Sequence, residues 1–281
     1  MRDVLAREIE QALLLARADG PLTDEKVHDL RRYLKRSRAA LRLLRDAVTK
    51  DAYASVNALL RDAARVLAPA RDTKVLLERL EEVAAAAKGN RRSLLQLRRD
   101  LREKRERDLR KLASAAPAKV AASLEAAAQR AARWRVPHDL SLIVASGLRR
   151  IYRKGRKAVR AARETRSDAA LHEARKQVKY LESALSMLEP MKPRRLHKLG
   201  GAADTVATRL GDDHDMAVLA GLLRRNSGGE DALAEVARLR RKWQKKALKR
   251  AQRLYKRKAK AFIRAAVPRN SRRASAPLLG T

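Results

Sequence analysis

Cysteine is absent from the 281 residues, which excludes a disulfide frame, thiol chemistry and any cysteine-ligated metal. Aromatic residues make up 3% of the chain, and Phe262 is its single phenylalanine. A core must therefore come from Leu, Ala and Val, which suits closely packed helices. Eleven Gly and eight Pro leave too few turns for the many hairpins of an all-β fold. No apolar stretch approaches the roughly 18–20 residues of a membrane span. The opening MRDVLAREIEQALL is too charged for a secretory signal, so a cytoplasmic location is the expectation. Acidic residues are the last scarcity: 68 Lys and Arg face 32 Asp and Glu, for a net charge of +36. Such a field repels itself and favours acidic partners.

Hydrophobic residues still reach 45%, enough to bury a core, and their spacing is regular. Nearly everything up to about Ala265 reads as helix. Breaks are expected at Gly20-Pro21, Lys88-Gly89-Asn90, Pro117, Val136-Pro137, Pro190 to Pro193 and Ser227-Gly228-Gly229. Thr23 is the expected N-cap of a helix running to about Val48, and Arg71-Asp72-Thr73 the expected start of another. In the helix after Thr23, Val27, Leu30, Leu34, Leu41, Leu44 and Val48 form one apolar stripe. His28, Arg31, Arg32, Lys35, Arg38 and Arg42 form a basic stripe beside it.

The pattern returns about 144 residues on. Leu171, Ala174, Val178, Leu181, Leu185 and Leu188 repeat the apolar stripe, and His172, Arg175, Lys176 and Lys179 the basic one. VHDLRRYLKRSRAALRLL (27–44) lies over LHEARKQVKYLESALSML (171–188), and VLAPARDTKVLL (66–77) over RLGDDHDMAVLA (209–220), with Asp72 over Asp215. Two matches in one order indicate an internal duplication. The expected division is a first helical half at 1–116, a linker helix at 117–137, a second half at 138–266 and a disordered tail at 267–281. The last helix of the second half has no acidic residue after Val236, yet Val236, Leu239, Trp243, Ala247, Leu254 and Phe262 keep an apolar stripe.

Basic stripes without i,i+4 acids point to a polyanion site rather than to an ordinary solvated face. A third stripe runs through Arg149, Tyr152, Arg153, Arg156 and Arg160. Arg offers phosphate a planar fork of donors, and Lys adds mobile point charges. Two alternatives remain. Sequence-independent nucleic-acid binding suits the charge, but there are no helix-turn-helix or zinc-finger signatures and few aromatics for base stacking. A metal-dependent phosphohydrolase would use the pairs His28-Asp29, His138-Asp139 and His214-Asp215, yet no spaced ligand set accompanies them. Asp212, Asp213 and Asp215 fit a salt-bridging or helix-capping role better than a metal site. His28 and His172 stand between two readings, a packed histidine and a phosphate donor.

The repeated segments VHDLRRYLKRSR and LHEARKQVKYLE resemble the histidine-arginine motif of the CHAD family, the conserved histidine α-helical domain. GLRRIYRKGRKA, HKLGGAADTVATRLGDDHDMAVL and the basic terminal helix add to the resemblance, which spans about residues 3–265. It implies an all-α fold of two bundles related by a pseudo-twofold axis, with basic faces lining a central cavity or groove. It also implies noncatalytic binding of inorganic polyphosphate and association with polyphosphate granules, with no cofactor. The implied contacts are His28, Arg31, Arg32, Lys35, Arg36 and Arg38 in the first half. In the second they are His172, Arg175, Lys176 and Lys179, with Arg149, Tyr152, Arg153 and Arg156 from the preceding helix. Tyr180 and Glu182 stand where the first half has Arg36 and Arg38, so the second site is expected to be less basic there. The alternating ExExK strand of the triphosphate-processing domains fused to some family members is missing.

Overall fold

Ala, Leu, Arg, Lys and Glu favour helix, and little in this chain interrupts it. The computed structural model describes residues 1–20, 22–86, 91–137, 140–189, 193–226 and 229–267. Among them there is no strand, and the fold is all-α. The helices are α1 (Arg2–Arg17), α2 (Asp24–Leu43), α3 (Lys50–Val66), α4 (Ala68–Ala86) and α5 (Arg91–Ala132). They continue as α6 (Ser141–Thr165), α7 (Asp168–Leu188), α8 (Pro193–Arg225), α9 (Glu230–Leu254) and α10 (Ala259–Ala266). Among the described residues, side-chain caps start α2, α3 and α7. Thr23 Oγ1 accepts from Lys26 N at 3.2 Å, Thr49 Oγ1 from Ala52 N at 3.2 Å, and Ser167 Oγ from Ala170 N at 3.3 Å. Each satisfies an orphan amide, an effect of about 1 kcal/mol.

Several expected boundaries move. α2 stops at Leu43, and a 3-10 turn, Arg45–Ala47, follows before Val48. α4 opens at Ala68 rather than at Arg71, and the Thr73 hydroxyl turns back to Pro69 O at 3.0 Å and to Asp108 at 2.9 Å. Pro117 does not break the chain but lies inside α5. It cannot donate to the carbonyl of Ala113, but Ala113 is exposed, so water can satisfy that oxygen. Leu112, Ala116, Val120, Leu124 and Ala127 hold both sides of the proline in one buried stripe. The segment expected as a separate linker helix is thus mainly the C-terminal part of α5. The terminal basic helix is two, since α9 ends at Leu254 and α10 begins at Ala259. The expected breaks at Pro21, 88–90, 190–192 and 227–228, the pair His138-Asp139 and the tail from residue 268 lie outside the described residues.

Two apolar cores form, and each draws on both halves of the sequence. The larger joins Leu5, Leu34, Leu60 and Leu124 to Leu148, Leu181, Val206 and Leu254. The smaller joins Leu80, Val83 and Leu97 to Met216, Leu219, Val236 and Trp243. Neither half buries its stripes alone, so the expected halves are not separately cored. α5, α8 and α9 run from one core to the other. Ion pairs tie α8 to its neighbours, Arg79 of α4 to Asp212 at 2.5 Å and Arg240 of α9 to Asp213 at 2.9 Å. Close approach needs glycine at Gly147, where a Cβ would stand 2.5 Å from the carbonyl oxygen of Leu43. That contact seats α6 against the end of α2.

Candidate functional site

α2 and α7 pack against each other. Their apolar stripes, with Leu30, Leu34, Val178 and Leu181, enter the larger core. The adjoining basic stripes are therefore carried to the rim of one contact. Arg31 of α2 and Arg175 of α7 come within electrostatic reach of each other and of Arg71 on α4. Lys179 of α7 and Lys35 of α2 complete the cluster. Arg31 donates to the carbonyl of Leu67 at 3.3 Å. Among the described residues, no carboxylate lies within ion-pair distance of Arg31, Arg175 or Lys179. The buried Nε of Arg175 has no hydrogen-bond partner there.

Burial is the first cause of the lowered pKa of all three groups, with mutual repulsion next for Arg31 and Lys179. Lys179 is pushed down to about 8 by burial, then by Arg175, Arg71 and Lys35. The arginines stay charged because their ordinary pKa is so high. Asp215, Asp72 and Asp212 are the counter-charges within range of Arg175. Burial raises Asp215, against the pull of Arg175 and Arg71. The cluster is thus a partly desolvated excess of positive charge, held in place by three helices.

The two motif histidines have different surroundings. His172 Nδ1 stands 3.4 Å from His214 Nδ1 of α8, with ring centroids 4.7 Å apart. Burial, followed by Arg175, lowers both, and His214 falls to about 4. The pair is neutral at neutral pH, one ring donating to the other. His28 is exposed and lines a cleft of about 510 Å³ with Arg31, Arg71 and Lys74, but also with Asp24, Glu25 and Asp29. Lys74 and Arg105 hold Asp24 at 3.1 and 2.8 Å, and Arg32 holds Asp29 at 3.2 Å. Positive charge in that cleft is largely balanced. Arg31 is shared between that cleft and the seam of α2 and α7, where Arg175 and Lys179 add charge without a carboxylate at ion-pair distance among the described residues.

The remaining expected contacts scatter. Lys35 pairs with Glu182 at 2.6 Å across the seam. Arg36 points the other way, onto Glu8 of α1 at 2.7 Å. Arg38 buries its guanidinium beside Arg42, which lies 3.6 Å over the Tyr180 ring. Tyr180 and Glu182 therefore act on cations of the first half. Lys176 pairs with Glu173 on its own helix. Arg149, Arg153 and Arg156 are exposed on α6, with no hydrogen bond or ion pair to a seam residue among the described residues. Tyr152 is corrected outright. It is fully buried, stacks 3.9 Å from Phe262, and donates to the carbonyls of Leu254 or Arg257 at 3.2 and 3.1 Å. Burial raises its phenol to about 12.

Asp212, Asp213 and Asp215 do not cap a helix, because α8 runs through Gly211 without a break. Asp212 and Asp213 do form the expected salt bridges. Sequence reasoning missed Arg71 as a site residue. The signal was present, since the match that sets Asp72 over Asp215 also sets Arg71 over His214. Arg71 shares its cleft with His28, as His214 adjoins His172.

No curated protein matches the sequence. Among solved structures, PptA from Streptomyces chartreusis aligns with a TM-score of 0.62 and 18% identity, over 91% of this chain and 96% of that one. The CHAD domain from the plant Ricinus communis aligns with a TM-score of 0.56 and 19% identity, over 91% of this chain and 90% of that one. At those identities the likeness concerns the fold. The sequence itself matches the CHAD domain family over residues 5–224, and the chain belongs to that family.

Proposed function

We propose that this protein binds inorganic polyphosphate at the α2–α7 seam and performs no chemistry on it. One observation carries the reading: Arg31, Arg175 and Lys179 converge from two helices, partly desolvated, with no carboxylate in ion-pair distance among the described residues. A phosphate chain would relieve their repulsion and give the free guanidinium nitrogens charge-assisted acceptors. Arg71 adds a fourth cation from α4. Binding is multidentate and releases counterions, so affinity falls steeply with salt, as it does for nucleic acids. The neutral His172–His214 pair borders the site and gains charge more readily once an anion is bound. Among the described residues, no three His, Asp or Glu side chains form a metal-ligand set, and no helix is long and apolar enough to cross a membrane. The side-by-side placing of Arg31 and Arg175 supports the reading of α2 and α7 as duplicated elements. Association with polyphosphate granules follows from the same affinity.

The test is titration of long-chain polyphosphate in low salt, with orthophosphate release followed in parallel. Saturable binding without release is expected. At a hundredfold excess over Kd the ligand stabilises the fold by about 2.7 kcal/mol, a rise in Tm of roughly 5–10 °C. No binding contradicts the reading. Metal-dependent release of orthophosphate favours the phosphohydrolase alternative.

A further inference from the structure

The strongest charge in the molecule that the seam does not use lies on α9, α10 and α6. From Arg241 to Arg264 there is no acidic residue. Lys245, Lys249 and Arg253 follow one another along α9, and Arg257, Lys260 and Arg264 continue through the turn into α10. All six are exposed, and none has an ion-pair partner among the described residues. The opposite side of α9, with Val236, Trp243, Ala247 and Ala251, is buried, so the cations can only face outward. Arg149, Arg153 and Arg156 extend the face onto α6. The two parts are joined where Arg156 and Arg257 both come within reach of the Tyr152 hydroxyl. Tyr152, Tyr255 and Phe262 form the buried stack beneath that point.

This face differs in kind from the seam. Its cations are exposed and unpaired among the described residues, and they cover an outer surface rather than a contact between helices. The residues from Arg241 to Arg253 span roughly 18 Å of helix, over which a nucleic-acid duplex presents roughly ten phosphate charges. No aromatic side chain is exposed there for base stacking, and of the exposed large apolar residues only Leu142, at the start of α6, adjoins the face, while Leu14, Leu95 and Val218 lie on other helices. Single strands thus find no ring to stack on, and a lipid bilayer finds a single leucine, Leu142, to insert. We infer that the outer face of α9, α10 and α6 docks double-stranded nucleic acid through its phosphate backbone, independently of base sequence and of whatever occupies the seam. A duplex is about 20 Å wide and rigid, so it meets a broad outer face more readily than a seam between two helices.

The test uses the full chain and a short labelled DNA duplex, read by fluorescence anisotropy across a salt series. The variant Lys245→Gln, Lys249→Gln, Arg253→Gln removes three exposed charges without touching the core. It is expected to weaken duplex binding roughly tenfold or more and to reduce the salt slope by about three, with binding unchanged when the duplex sequence is changed. The seam variant Arg31→Gln, Arg175→Gln is expected to keep duplex binding within about twofold. Duplex binding that falls equally in both variants, or is missing in low salt, overturns the inference. So does a face variant that loses binding to phosphatidylglycerol vesicles but not to the duplex. None of these outcomes depends on polyphosphate.

Discussion

The two basic regions of this protein carry the same kinds of side chain in opposite circumstances. At the α2–α7 seam, Arg31, Arg175 and Lys179 are partly buried, close together and edged by Asp72 and Asp215. From Lys245 to Arg264, on α9 and α10, the cations are exposed and have no acidic ion-pair partner among the described residues. The seam holds less charge but has already met the cost of desolvation and positioning during folding. An anion arriving there finds donors in place and in a lower dielectric, where each contact is stronger. The outer face offers long-range attraction that salt screens. Counting Lys and Arg ranks the outer face first, and burial reverses that order for a ligand thin enough to reach the seam.

The comparison can be broken first at Arg175, whose Nε is buried without a partner. Arg175→Gln removes a charge-assisted contact of about 1.5–3 kcal/mol. Polyphosphate affinity should fall roughly 10–100-fold by calorimetry, and a loss as small as that from any surface lysine would remove the distinction. A pH series is next. Burial holds Lys179 at about 8 in the free protein, and a bound anion favours its protonated form, so the bound pKa is higher. Affinity therefore falls as pH rises through about 8, roughly tenfold between about pH 7 and about pH 9. Lys179→Arg should flatten that profile. Glu182→Gln releases Lys35 from its 2.6 Å ion pair and should tighten binding only ~2–5-fold, because the Lys35 side chain is half exposed. The smallest expected effect on binding is at Tyr152. Tyr152→Phe should leave polyphosphate affinity unchanged while costing about 1 kcal/mol of stability from the lost buried hydroxyl bond, measured by denaturant unfolding.

Much of the fold was legible because helix is written in short-range spacing. The stripe Leu30, Leu34, Leu41 and its partner Val178, Leu181, Leu185 are buried as their periodicity requires, and Thr23 caps α2 as expected. Pro117 misled because local propensity says nothing of the buried stripe on both sides of it. The interleaved cores were hidden for the same reason: spacing tells which face is buried, not against which helix.

The site was legible along each helix and obscure around it. Arg31, Arg175 and Lys179 follow from the motif and its repeat. Arg36 and Arg38 sit on the same helix, yet neighbours point about 100° apart, so Arg36 reaches Glu8 instead. Tyr152 was expected in the site because its spacing sets it in one stripe with Arg149, Arg153 and Arg156, but its ring lies on the inner side of α6. Arg71 was visible only by carrying the alignment of the two halves one residue to the side of Asp72.

The central claim is that placement at the seam, rather than net charge, holds polyphosphate. Two double variants with the same change in charge test it directly: Arg31→Glu with Arg175→Glu, and Lys245→Glu with Lys249→Glu. At one salt concentration, long-chain polyphosphate should bind the first about 100-fold or more weakly than the unmodified protein. It should bind the second within roughly threefold, as screening of exposed charges implies. Equal losses in the two variants would contradict the account.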